Sequence, residues 1–431
     1  MVIIHPDSTN TTDTTDPSAI AQRRAEELQG YTSEYQEVRE QILTGFTARN
    51  RIQAARERIL SILGGTERDW SNWKWHMHHR HLNIKTVSEI LSLTKEEYET
   101  YQKAKVDSLI STSPYYLSLT DPQDPSCPIR LQALPQPEEY TSPPGMLDPS
   151  GELYSSPVPG WVQRYPDRGI LLVNDIGTCP VACRFCQRRH NLSPRELETH
   201  NPIDIQGAIE YIRATPTIRD VLLTGGDAFT LSDGRLEKIL SSLRAIPHVE
   251  IIRLSTRLPV TLPQRVTPEL CEMLSRYGLM GGYGALWVVT HFNHPIEVTP
   301  QSAKACLMLM SHGMPILNQS VLLKGINDDK HIMMRLNQEL VRIGVKPYYL
   351  LHCKSIDGAT HFRTPLQSGM EIIQYLSGRT SGLALPYYVI SLPQGKGKVR
   401  LSTPEQIQEM DTRGVWRVTS WEGVEGFYDE R

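Results

Sequence analysis

Cysteine is scarce in this chain: seven among 431 residues, an odd number. Cys127, Cys271, Cys306 and Cys353 each stand alone and far apart. That excludes the paired framework of a small secreted domain and suits a reducing cytosol, where thiolates stay free for metal. An excess of one charge is also missing. A net charge of −3 offers no basic surplus for nucleic acid or an anionic membrane. No apolar run reaches the roughly 20 residues that span a bilayer. The opening MVIIHPDSTNTTDTTDPS has no basic region followed by an apolar core, so no signal peptide is expected. A cytoplasmic chain is the expectation.

The other three cysteines stand together in GTCPVACRFCQRRH, Gly177 to His190. Cys179, Cys183 and Cys186 form C-x3-C-x2-C, and His190 follows closely. Two readings fit the spacing. One is a closed structural Cys3His zinc site in a non-catalytic barrel. The other is an iron–sulfur cubane that takes three thiolates and leaves one iron open to a small molecule.

Organisation along the chain favours the open site. Residues 1–18 read as a disordered tail rich in Thr, Asp and Ser. Residues 19–113 read as a charged helical arm, with Leu28, Val38, Ile42, Ile52 and Ile59 lining one face. It packs on the body or on another subunit, or stands solvated. Trp70, Trp73 and Trp75 read as packing. Residues 114–168 form a proline-rich wrap, where DPQDPSCPIR and PQPEEYTSPPG are not expected to be regular helix. From Gly169 to residue 375 short apolar runs alternate with amphipathic stretches. Strands are expected at 170–173, 220–226, 249–256, 285–292, 315–323 and 346–353. Helices are expected at 203–213, 232–245, 267–276, 300–312 and 329–342. The fold class is therefore α/β, a full or partial β/α barrel. Residues 376–431 form a C-terminal segment. Catalytic groups of such barrels sit at the C-terminal strand ends, and the first strand ends just before Cys179.

C-x3-C-x2-C resembles the signature of the radical S-adenosylmethionine (SAM) enzymes. Thr224, Gly225, Gly226 and Asp227 match that family's Gly-rich turn after the second strand. The likeness is narrower still. SPVPG (156–160), RYPDR (164–168), LLTGGDA (222–228), THFNHP (290–295), NQSVLLKGIND (318–328) and HFRTP (361–365) are similar to segments of lysine 2,3-aminomutases and their relatives.

The resemblance implies a [4Fe-4S] cluster on Cys179, Cys183 and Cys186, SAM on its open iron, and pyridoxal 5′-phosphate (PLP). A deoxyadenosyl radical takes a hydrogen from the substrate β-carbon, the nitrogen migrates with the help of PLP, and the hydrogen returns. The family's PLP lysine falls on Lys398 of PQGKGK, with Lys396 as its rival. Arg164 and Arg168 fall where the family contacts PLP. Arg188 matches the arginine for the substrate α-carboxylate. His291 and Gln319 are candidate SAM contacts. An electron donor such as flavodoxin or ferredoxin is implied, and a homo-oligomer is expected.

Departures bear on the substrate. Lysine-specific members have two aspartates for the distal ammonium; here those positions are Lys354 and Ser391. A lysine there repels a lysine substrate and pairs an anionic one. The pattern resembles glutamate 2,3-aminomutase, so an acidic amino acid is expected: glutamate first, then aspartate, with lysine on the same scaffold as the alternative. Phe185, Gln187 and Leu351 also depart from the family. Cys306 corresponds to one ligand of an intersubunit zinc, but no cysteine follows Cys353, so no zinc is predicted.

Overall fold

The computed structural model describes residues 16–103, 110–189, 203–401, 407–410 and 415–429. Nine strands form one sheet in chain order: β1 (Trp161–Val162), β2 (Arg168–Asn174), β3 (Asp220–Gly225), β4 (Ile251–Ser255), β5 (Leu286–Thr290), β6 (Ile316–Leu322), β7 (Lys346–His352), β8 (Tyr387–Ser391) and β9 (Lys398–Arg400). From β2 to β8 every neighbouring pair is parallel. β1 and β9 close the margins antiparallel. The sheet curls into an open half-barrel, so the partial form of the expected barrel is the one adopted.

The reason lies in the strand pattern. Ile316, Asn318, Ser320 and Leu322 of β6 are buried, while Leu317, Gln319 and Val321 are half-buried. The first set packs under the crossover helices, and the second faces the concave side with solvent access. β3 repeats this, with Val221 and Leu223 buried and Leu222 and Thr224 half-buried. Helices Ile205–Ala214, Asp233–Arg244, Pro268–Ser275, Pro300–Ser311, Lys330–Arg342 and Leu366–Leu376 cover the convex side between successive strands. Side-chain caps satisfy first-turn N–H groups in all of these but Leu366–Leu376, as Asp204 does for Gly207 and Thr299 for Ser302.

Outside the barrel the sequence reading needs correction. Of the expected tail, residues 1–15 lie outside the described residues, and Pro17 and Ser18 already belong to the helix Pro17–Gly30. The arm is several helices rather than one. Leu28 is exposed, because the first helix buries nothing, whereas Ile52 and Ile59 enter the main core. Tyr35 donates its hydroxyl to Gln338 of a barrel helix. Trp70 is buried, with Trp73 and Trp75 packed against the same core.

The wrap contains three short helices: Pro114–Ser118, Pro128–Ala133 and Glu138–Thr141. Pro114 and Pro128 occupy first helical positions, where a missing N–H costs nothing. Proline here starts helices rather than forbidding them. β8, YYVIS, is a strand inside the stretch expected only as a C-terminal segment; its shortness leaves no alternation to mark it. A small three-stranded sheet, Ile407–Glu409, Val415–Thr419 and Glu425–Asp429, ends the described chain.

Candidate active site

The chain leaves β2 at Asn174 and turns into the cysteine loop. The Asn174 amide donates to the Asp227 carbonyl (2.7 Å) and Thr178 hydroxyl (3.1 Å), tying this exit to the turn after β3. Close packing explains the two glycines. Gly225 has φ of 126°, and a Cβ there would lie 2.4 Å from the Asn174 carbonyl oxygen. A Cβ on Gly226 would lie 2.2 Å from that of Asp175. The turn therefore needs glycine to seat the cysteine loop at all.

Asp227 is a brace. Its N–H donates to the Cys179 sulfur (3.2 Å), while its carboxylate accepts the N–H groups of Phe229 (3.0 Å) and Arg257 (2.5 Å). Burial raises Asp227 to about 6.

The end of the arm and the wrap hold the loop from the other side. Ala182 N–H donates to the Ser111 carbonyl and Arg184 N–H to that of Gln132. Glu139, fully buried, receives both Arg184 (2.8 and 2.5 Å) and Arg189 (2.5 Å). Burial alone would raise Glu139, but the two guanidiniums outweigh it and hold it below the usual carboxylate range. Phe185 packs with Phe362, Leu323 and Ile326 in a separate small apolar cluster under the loop.

The three thiols share one neighbourhood. Burial, then Asp227 and the other two thiols, pushes Cys179 well above the usual range; burial and Cys183 lift Cys186 to about 11. Such thiols need a cation to become thiolates. Among the described residues no three His, Cys, Asp or Glu side chains are grouped as ligands of a single metal ion. His190 lies outside the described residues.

Arg257, at the end of β4, escaped the sequence reading. It donates to the Cys183 sulfur (2.8 Å), Gln132 (2.7 Å), Glu297 (2.8 Å), the Tyr116 hydroxyl (3.1 Å) and the His291 carbonyl (3.1 Å). Glu297 is completely buried and also accepts the N–H groups of Asn293 and His294. No motif marked this network, because its partners come from four distant segments. His291 pairs with Asn293 (3.0 Å), and burial with Arg257 lowers it to about 3, so its ring is neutral. Thr224 and Gln319 face the concave side, by strand parity with Leu222 and Leu317.

Inside the half-barrel lies a cavity of about 580 Å³, lined by Arg164, Tyr165, Arg168, Arg253, Tyr348, Tyr349 and Lys398 among others. This size is ordinary for a cofactor pocket. The Lys398 ammonium sits 4.6 Å from the Tyr349 ring centre, and its backbone N–H donates to the Tyr165 hydroxyl (2.9 Å). Burial first, then Arg164, Arg253 and Arg168, lowers Lys398 to about 8. Lys398, like Lys396, is exposed to water. Arg168 stacks over the Tyr165 ring at 4.1 Å. Arg253, also missed, pairs with Asp220 (2.7 Å). Lys396 is exposed and does not line the cavity. Guanidinium forks beside tyrosine rings and a lysine of depressed pKa suit an aromatic ring bearing a phosphate.

Between thiols and cavity stands a set of charges. Arg188 grips Glu152 with both Nε (3.0 Å) and Nη2 (2.7 Å). Lys354 donates to the Ser150 hydroxyl and the Gln187 amide oxygen, each at 2.5 Å. Burial, then Arg164, lowers Lys354 to about 7, against the opposing pull of Glu152. Electrostatic coupling runs from Cys186 through Arg188, Glu152 and Lys354 to Lys398. Ser391, half-buried, faces Lys398 across the β8–β9 pairing. Cys306 is buried alone in its helix.

The radical SAM superfamily pattern matches residues 173–336, the cysteine loop and most of the barrel. The glutamate 2,3-aminomutase of Clostridioides difficile (strain 630) is 44% identical over 404 residues, covering 94% of this chain and 93% of that one. The L-lysine 2,3-aminomutase of Fusobacterium nucleatum is 45% identical over 367 residues, covering 85% and 84%. That of Clostridium subterminale is 43% identical over 367 residues, covering 85% of each. The chain belongs to the 2,3-aminomutase family of radical SAM enzymes.

As a member of that family it is an isomerase, and its superfamily implies an iron–sulfur cluster and SAM. The resemblance read from the motifs is thereby borne out. The missed residues Glu139, Glu152, Arg257 and Glu297 share one trait. Each acts through a partner far away in the chain, so spacing carries no trace of it. Among the described residues no helix is long and apolar enough to cross a membrane.

Proposed function

We propose that this radical SAM aminomutase is PLP-dependent and moves the α-amino group of an acidic amino acid, L-glutamate first, to the β-carbon. The observation that carries the substrate choice is the Lys354 ammonium, turned inward and held by neutral acceptors beside Arg188. A lysine side chain brought to that point meets like charge; a carboxylate meets its counterion. Glutamate is also the substrate in the printed name of the C. difficile relative, although lysine enzymes of similar identity stand beside it.

When bound, the cluster with SAM supplies hydrogen abstraction, and PLP supplies the electron sink for nitrogen migration. Cys179, Cys183 and Cys186 hold the cluster. Thr224, Gly225, Gly226, Asp227, His291 and Gln319 form the SAM side, with Asp227 acting through its backbone. Lys398 carries PLP, and Arg164 and Arg168 take its phosphate. Arg188 receives the α-carboxylate by exchanging Glu152's hydrogen bonds for the substrate's. Lys354 takes the distal carboxylate, with Ser391 leaving room where a longer side chain would intrude. A low-potential donor of flavodoxin or ferredoxin type supplies the electron, and the chain works as a homo-oligomer in the cytoplasm.

The test is the anaerobically reconstituted enzyme with SAM, PLP and a reductant, given glutamate, aspartate and lysine in separate reactions. β-Glutamate is the expected main product. β-Lysine as the main product would sink the reading.

A further inference from the structure

We infer that Gln187, together with Ser150, sets the preference for a second carboxylate by holding the Lys354 ammonium in place and leaving its charge uncancelled. The inference rests on the acidic-substrate reading above. An ammonium has three N–H donors. Lys354 spends one on the Gln187 amide oxygen and one on the Ser150 hydroxyl, each at 2.5 Å. Ser150 in turn donates to the same Gln187 oxygen at 3.1 Å, closing a triangle. Among the described residues no third acceptor reaches the ammonium, so one donor is left for a ligand.

Gln187 is oriented by charge at both ends. Its carbonyl faces the Lys354 cation, and its NH₂ donates to Glu152 at 3.4 Å. A flipped amide would face cation with donor and anion with acceptor. Ser150 is buried, and its carbonyl accepts from Arg164 at 3.4 Å, which anchors the triangle to the cavity. The division of charge is the physical point. Glu152, the carboxylate that couples to Lys354, is paired with Arg188. Lys354 is held only by neutral groups, so a fixed cation remains for a substrate anion. An acidic side chain in place of Gln187 would cancel that cation internally. Gln187 and Ser150 are thus positioning residues acting through Lys354.

The test compares L-glutamate with L-glutamine, its neutral isostere, on reconstituted enzyme. Hydrogen bonds to a charged group are the stronger kind. Gln187→Met and Ser150→Ala are each expected to lower the glutamate-over-glutamine ratio of kcat/KM about tenfold or more, through KM for glutamate. Gln187→Glu is expected to lower it further. Iron and PLP content should match wild type, which a general loss of structure would not allow. Should Gln187→Met fail to hold the cluster, Ser150→Ala, distant in the chain from the cysteines, decides. Wild-type enzyme that prefers glutamate, with variants that keep the same ratio, overturns this inference alone. Wild-type enzyme without that preference overturns the acidic-substrate reading and this inference with it.

Discussion

Lys354→Met removes the proposed counterion with little change of volume. Met has nearly the same length, so no cavity opens, and Ser150 and Gln187 keep their bond to each other. The loss is therefore mostly electrostatic. Truncating one member of a buried charge pair costs about 2–5 kcal/mol. Lys354 is half-buried, so screening places the value near the lower end, about 2–3 kcal/mol. At about 1.4 kcal/mol per decade, kcat/KM for glutamate should fall roughly 30- to 150-fold. A pH series supplies a second signature. Burial lowers Lys354 to about 7 in the free enzyme. Its charged form binds the carboxylate, so affinity is full below that pH and declines above it. The decline approaches about tenfold per pH unit, since one proton is linked to binding. In Lys354→Met this alkaline loss of affinity should vanish. Any loss from Lys398, lowered to about 8, would persist and strike glutamine equally. The assay is anaerobic turnover with chromatographic separation of β-amino products, alongside iron analysis. A variant with wild-type iron and kcat/KM within threefold of wild type would refute the role of Lys354.

Three other outcomes follow from the geometry. Cys179→Ala, Cys183→Ala and Cys186→Ala should each lose most of about four irons per chain, whereas His190→Ala should keep them; zinc in place of iron would revive the closed-site reading. Lys398→Ala should abolish the absorbance of lysine-bound PLP, and Lys396→Ala should retain it; the reverse would exchange their roles. Glu139→Gln leaves Arg184 and Arg189 without their shared buried anion, which should cost about 3–5 kcal/mol of stability by denaturant titration. In wild type the Glu139 contribution is present above the unfolded carboxylate pKa and lost as pH falls through the lowered folded value; a Glu139→Gln chain of unchanged stability would show that the clamp does not matter.

Six strands and five crossover helices were legible because each carries its own apolar pattern. β8 was not: YYVIS is brief, and only pairing with β7 and β9 makes it a strand. The prolines of the wrap misled in a physical way. Their lack of an N–H forbids a helix interior but favours a helix start, and periodicity cannot tell the two apart.

The site divides along the same line. Residue type and spacing along the chain carried the three thiols after a strand and the glycine turn. The roles expected of Arg164, Arg168, Lys398 and Lys354 came from the family resemblance. Only the tertiary structure decided what each charge meets. Glu152 fills the fork of Arg188, Gln187 and Ser150 hold Lys354 without neutralising it, and Arg257 reaches Cys183 from another strand. Coulomb and hydrogen-bond energies depend on distances of a few ångströms between segments up to 204 residues apart in the chain, and no spacing rule along the chain encodes such a distance.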